Sequence, residues 1–401
     1  MSRMYTGTLE KSYRFNSKQF CSAVLTAALL LSGCANVKAQ NNPTKPHHTP
    51  EGFKNNYTSG AVKSQGDFFR WQYQRLVNGL PKPPQIPTPT VPPDLPFIQG
   101  NGKATSAAAS SSIMQPAITW IGHATMLVQT NGLNVLTDPI FSERASPVQS
   151  FGPKRVQQPG LSIEQLPPID VVLISHNHYD HLDKHSVLAL ANIANFSNPA
   201  NLANSEQSST LFLVPLGVKA LFSDLGIKNV KELDWWDSVS VKGVEFNFTP
   251  VQHWSARGLG DRSQTLWGGW AVFGAQTHWY FSGDTGYSQD FVDTQKHFAD
   301  RQTPAKGGGF DIALMPVGGY EPRWFMKEHH VNPAEAVQIH QDLQAKRSVG
   351  MHWGTFSLTD EPLDQPPKDL ALALRERSLA PDVFTVMAIG QTRLLPARPA
   401  P

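Results

Sequence analysis

Between positions 175 and 183 the chain reads Ser-His-Asn-His-Tyr-Asp-His-Leu-Asp. Imidazole and carboxylate are ordinary donors to zinc and related divalent ions. The apolar run 171–174 leads into this segment and reads as a strand buried on both faces. In extended chain alternate side chains share a face, so His176 and His178 can grip one ion. Asp180 and His181 lie just past them, where the chain turns, and can reach a second. Three residues of the same chemistry end later apolar runs: His253 after 244–252, Asp284 after 280–283 and His352 after 348–351. Four donors leave two ions short of ligands, and these three complete the set. The two cysteines are Cys21 and Cys34, which removes thiolate from the body of the chain.

Donors scattered over some 180 positions need a framework. The runs 118–130 and 133–137 are β-like and flank Asn131-Gly132, a strong hairpin turn. Further strands are expected at 211–214, 244–249, 270–273, 279–281, 312–316 and 383–388. Helical periodicity appears at 186–193, 218–225, 290–298, 333–343 and 367–377. Strands dominate first and then alternate with helices, which implies an α/β arrangement with helices outside sheets. Segments 195–209 and 301–309 read as surface loops. The tryptophans Trp254, Trp267, Trp270 and Trp279 surround the ligand strands, as packing or as an apolar wall for acyl chains.

Composition narrows the class. Over 401 residues, 34 basic and 32 acidic side chains leave a net charge of +2, so no basic field selects nucleic acid. Of 32 prolines, 11 fall between Pro43 and Pro96, marking an extended neck at 81–96. Residues 68–77 predict one amphipathic helix docked on the body, and 35–65 and 106–112 read as polar tether and linker. At the start, Lys11, Arg14 and Lys18 precede an apolar run at 20–31, too short to span a bilayer. This describes a secretory signal. Leu31-Ser32-Gly33-Cys34 resembles a bacterial lipobox, giving a signal over 1–33, a lipidated Cys34 on a membrane surface, and an address at the cell envelope. By the same resemblance Ala35, rather than Asp, after the cysteine implies the outer membrane, facing the periplasm.

The donor set resembles that of the metallo-β-lactamase superfamily. The motifs at 120–125, 136–142, 152–155, 232–236, 283–287, 321–327 and 352–356 resemble the branch that hydrolyses N-acyl-phosphatidylethanolamine as a phospholipase D. The likeness covers about 118–395. It implies an αββα sandwich, two mixed β-sheets flanked by helices, with two zinc ions per chain and a homodimer at membranes. By this resemblance His176, His178 and His253 hold the first zinc. Asp180, His181 and His352 hold the second, and Asp284 bridges. Hydroxide formed at the metals would attack phosphorus in line, releasing phosphatidic acid and an N-acylethanolamine, with Asp284 relaying a proton. His330 matches a residue beside the scissile phosphate and would donate to it or protonate the leaving group. Tyr179, between two ligands, either faces the substrate or orients its loop. His123 and Asp138 are expected behind the ligands, Asp183 against a ligand imidazole, and His278, His297 and His340 at the surface. Two other functions fit the residues: another hydrolase of this fold, acting on a sugar-phosphate lactone or a β-lactam, and a non-catalytic metal-binding lipoprotein.

Overall fold

The computed structural model describes residues 42–57, 63–103, 113–196 and 210–398. The signal segment, Cys34, the 106–112 linker and most of the 195–209 loop lie outside them. Among the described residues no helix is long and apolar enough to cross a membrane.

A short hairpin, β1 (His48–Thr49) and β2 (Gly52–Phe53), precedes the body. One sheet is built from β3 (Ala117–Gly122), β4 (Thr125–Thr130), β5 (Leu133–Thr137), β6 (Val171–Leu173), β7 (Leu211–Pro215) and β8 (Val230–Leu233). A second holds β9 (Ser238–Val241), β10 (Val244–Thr249), β11 (Gly269–Phe273), β12 (His278–Phe281), β13 (Ile312–Pro316), β14 (Ser348–Met351) and β15 (Phe384–Val386). The last strand, β16 (Thr392–Leu394), returns to the first sheet beside β3. Both sheets are mixed: β3, β4 and β5 run antiparallel before β6, β7 and β8 continue in parallel, and β9 to β12 do the same before β13, β14 and β15.

Alternation along the strands explains the layering. In β6, Val171 and Leu173 join the inter-sheet core with Phe248, Trp270 and Phe281, while Val172 points the other way. There it meets Val187 and Leu190 of the helix Lys184–Phe196. On the far side, Val337 and Ile339 of the helix Pro333–Asp342 and Leu370 and Leu374 of the helix Gln365–Glu376 cover the second sheet. With both faces buried, continuous apolar strands are what such sheets require. The αββα sandwich stands as expected from the sequence, and Trp267, Trp270 and Trp279 are fully buried packing groups.

Three details differ from expectation. The run 118–130 is two antiparallel strands, because Gly122 (φ 140°) and His123 (φ 52°) turn the chain where the sequence stays buried and uncharged. The Asn131-Gly132 turn does form, with both residues at positive φ (56° and 74°), the conformation a two-residue hairpin demands. Residues 95–96, expected as extended neck, begin a helix, Leu95–Lys103. The amphipathic helix Gln65–Asn78 exists, capped by Ser64 and Asp67, but only Trp71 is buried, against Phe325 and Asp360. Phe69, Tyr73, Leu76 and Val77 are each more than 60% exposed, so this helix stands out from the body.

Candidate metal centre

The strands deliver the donors from their carboxyl ends. β6 leads into the loop with His176, His178, Asp180 and His181, β12 into Asp284, and β14 into His352, while His253 follows β10. Gly283 (φ 63°) is required where two of these loops cross, since a Cβ there would lie 2.4 Å from the Ser175 Cβ. His123, Asp138 and His352 have left-handed backbones at φ 52°, 33° and 61°. Such strain in non-glycine residues gathers at functional sites.

All seven sequence-predicted donors converge. His176 Nε2 and His253 Nε2 lie 2.8 and 3.3 Å from His178 Nδ1. Beside this triad, His181 Nε2 and His352 Nε2 are each 3.4 Å from Asp180 Oδ2. Asp284 Oδ2 lies 3.0 Å from His181 Nε2 and 3.2 Å from His352 Nε2. Asp284 also falls within 4.8 Å of the ring nitrogens of His253 and His330, so one carboxylate faces both groups.

The outer nitrogens show what the inner ones are for. His181 Nδ1 donates to Asp138 (2.7 Å), His253 Nδ1 to the His329 carbonyl (2.9 Å) and His352 Nδ1 to the Gly318 carbonyl (3.3 Å). Ser175 Oγ donates to Asp138 (2.5 Å) and is left to accept from His176 Nδ1 (2.9 Å). Each acceptor fixes a tautomer whose inner nitrogen carries a lone pair, the arrangement metal-bound imidazoles use. His181 Nε2, His352 Nε2 and Asp284 Oδ1 are buried without a well-formed hydrogen bond. Buried polar atoms in folded proteins are generally paired, and unpaired inner atoms gathered on ligand-type side chains fit two adjoining divalent ions.

Electrostatics agree. Burial works against ionised Asp180 and Asp284, yet His181 and its neighbours outweigh it and hold both carboxyls well below the usual range. Burial likewise opposes charge on His181 and His352, but Asp284 and Asp180 win, raising His181 well above its ordinary value and His352 to about 9. Without a cation, protons supply the positive charge the carboxylates demand. His176 and His253 are pushed well down by burial, and His178 to about 4.

The other candidates sort themselves. His330 is at the site, with Nδ1 3.8 Å from Asp284 Oδ2, and burial lowers it to about 4. Tyr179 gives its hydroxyl to the Arg257 carbonyl (2.9 Å) and its ring face to the Arg257 guanidinium (3.9 Å), which ties it to the 253–261 loop. His123 bonds the carboxylate of Asp180 (3.0 Å) and its ring nitrogen lies within 4.8 Å of the Asp180, His181 and His352 donor atoms, while Asp138 anchors the outer nitrogen of His181. Asp183 instead takes Ser142 and Ser186 hydroxyls at the start of its helix. His340 is buried against Ser348 rather than at the surface. Sequence reasoning missed Ser175 and Arg257, whose guanidinium bonds the Asn177 and Leu182 carbonyls under the ligand loop (2.8 Å each). Ser175 had a signal, since it adjoins the first histidine.

Removing the anchor tests this architecture. Asp138→Ala frees His181 to rotate and strands the Ser175 N–H, which Asp138 now accepts at 2.7 Å. Metal affinity should fall about 10–100-fold, read by competition against a chromophoric chelator.

A family model described as Beta-lactamase superfamily domain matches residues 133–353. A Caenorhabditis elegans protein named N-acyl-phosphatidylethanolamine-hydrolyzing phospholipase D 1 is 40% identical over 260 residues, 63% of this chain and 67% of that one. The mitochondrial protein of that activity name from Saccharomyces cerevisiae is 36% identical over 264 residues, 63% of this chain and about half (51%) of its own length. Among solved structures, an isothiocyanate hydrolase from Delia radicum gut bacteria matches 70% of this chain and all of its own, with TM-score 0.53 and 19% identity, a likeness of fold.

Proposed function

The chain belongs to the β-lactamase superfamily of hydrolases, and from that premise we propose that it is a binuclear zinc phosphodiesterase of phospholipase D type. Its substrates would be N-acyl-phosphatidylethanolamine-type phospholipids, cut to phosphatidic acid and N-acylethanolamine. The observation that carries this is the shared carboxylate: Asp284 faces a three-histidine group and an Asp-His-His group at once. Worm and yeast relatives named for this hydrolysis support the substrate class.

His176, His178 and His253 would hold one ion, Asp180, His181 and His352 the other, with Asp284 between them. When bound, the ions would supply a water acidified to about neutral pH and neutralise charge on the phosphoryl group. Two dications against two carboxylates and one hydroxide leave the site positive, which favours an anionic diester over a neutral ester. Asp284 Oδ1, buried and without a partner, can take a proton from the attacking water. His330, neutral near pH 7, can hydrogen-bond a phosphate oxygen, and the leaving alkoxide would take up the proton that Asp284 received. Tyr179 would act by holding the ligand loop to Arg257.

The setting we propose is a membrane surface at the bacterial cell envelope, reached through a lipidated Cys34 and probed by the exposed apolar face of the helix Gln65–Asn78. The outer membrane facing the periplasm, a homodimer and no nucleic-acid partner complete the proposal.

Zinc-loaded protein should release phosphatidic acid and N-acylethanolamine from vesicles containing the substrate, detected by mass spectrometry, and lose that release with a chelator. Sugar-phosphate lactones and β-lactams run in parallel should turn over far more slowly. Faster turnover of either would move the proposal to another hydrolase of this fold. Absence of hydrolysis with metal bound would favour a binding lipoprotein.

A further inference from the structure

Residues 42–57 lie outside the 133–353 match and read in sequence as polar tether, yet they are fastened at both ends. At one end Asp234 accepts hydrogen bonds from Lys45 Nζ (2.7 Å), His47 Nε2 (2.7 Å) and His48 Nε2 (2.9 Å). His47, His48 and Asp234 have the chemistry of a metal site. His48 Nδ1, however, accepts the Asn42 N–H (2.9 Å), which keeps a proton on Nε2, and the Lys45 ammonium already supplies the cation. The trio is a latch. Beyond it, Phe53 N donates to the Ser263 carbonyl (2.8 Å) and Phe53 enters the inter-sheet core.

At the other end Asn55 takes both backbone groups of His253. Its Nδ2 donates to the His253 carbonyl (2.9 Å), and its Oδ1 accepts the His253 N–H (3.0 Å) and Trp267 Nε1 (3.0 Å). Asn56 and Tyr57 continue to Asp290 (2.8 Å) and Asp293 (2.6 Å). His253 stands four residues past the end of β10, outside the strand ladders. The Gly286 N–H holds the preceding Gln252 carbonyl (2.7 Å), and the Asn55 amide takes the N–H and carbonyl of His253 itself. Of the imidazole's outer contacts, the His329 carbonyl sets rotation alone. Where Nε2 sits relative to His176 and His178 depends on the backbone that Asn55 holds. Displacement of a ligand by about 1 Å is enough to disable a site.

We propose that residues 42–57 form a strap whose Asn55 is a positioning residue for the His176–His178–His253 metal pocket, with Asp234 as the latch that keeps the strap seated. This rests on His253 being a metal ligand.

The test uses the full chain, stripped of metal and titrated with cobalt(II) or zinc against a chromophoric chelator. Asn55→Ala should weaken the ion at the three-histidine pocket about 10–100-fold and alter the cobalt absorption band, with a smaller effect on the Asp180–His181–His352 ion. Asp234→Asn, a milder change remote from the donors, should weaken the same ion in the same direction. Asn55→Ala combined with Asp234→Asn should add little to Asn55→Ala alone, since both act through one contact. Melting of the metal-free proteins provides the control. A lower melting temperature with wild-type affinity and an unchanged cobalt spectrum means that the strap only adds stability, and overturns the proposal. Wild-type protein that takes up no metal overturns both the strap and the metal centre.

Discussion

Asp284→Ala should abolish turnover, with kcat falling by at least about 10³-fold, while the sandwich stays folded. Asp284 is placed against both groups of imidazoles: 3.0 Å from His181, 3.2 Å from His352 and within 4.8 Å of His253 and His330. Its Oδ1 has no hydrogen-bond partner among the described residues. Losing it would leave one negative charge where Asp180 and Asp284 both face His181 and His352, and would remove the carboxylate that adjoins both candidate ion pockets and the acceptor proposed for the water proton. Asp284→Asn keeps shape and loses charge, so it should retain more metal than Asp284→Ala and yet little more activity. The measurement is kcat alongside metal content per chain. A variant with a full complement of metal and wild-type kcat would contradict the role assigned to this carboxylate.

How much of this was legible in the sequence follows from which groups act locally. His176, His178, Asp180 and His181 sit within six positions after an apolar strand, so type and spacing sufficed. His253, Asp284 and His352 were readable because the same chemistry recurred after other apolar runs, where the strands of a layered fold end. The β3–β4 turn was not readable: Gly122 and His123 are buried, and no Asp, Glu, Lys, Arg or Pro interrupts the run. The helix Gln65–Asn78 followed its periodicity, but periodicity predicts a face and not what meets it; Trp71 alone found a pocket. His340 looked like a surface histidine because Ser348, eight residues on, becomes its partner only when β14 packs beside its helix. Asn55 was least visible of all. An asparagine in a polar stretch carries no local signal, and its partners are 198 and 212 residues away.

Removing the metals should destabilise the protein, and more so at pH 9 than at pH 6.5. In the metal-free protein the carboxylates of Asp180 and Asp284 lie against buried imidazoles, and protons on His181 and His352 balance them. Burial opposes those protons, but the carboxylates raise His352 from 6.5 to about 9 and His181 upward as well. A group raised on folding contributes stability that is fully present below its unfolded value, about 6.5 for histidine. That contribution drains away as pH climbs through the folded value near 9, leaving two buried carboxylates without counter-charge. The carboxyls are shifted the other way, so their contribution is present above about 4 and lost only in acid. Bound metal reverses the first trend, because binding must displace the histidine protons and strengthens as they leave. A ligand at about 1,000 times its Kd stabilises by about 4 kcal/mol. Thermal melts with saturating zinc and with excess chelator should therefore separate by several degrees at pH 6.5 and by more at pH 9. A gap that narrows with rising pH would mean that these imidazoles do not give up protons to a cation, and the assignment of His181 and His352 as donors would fail.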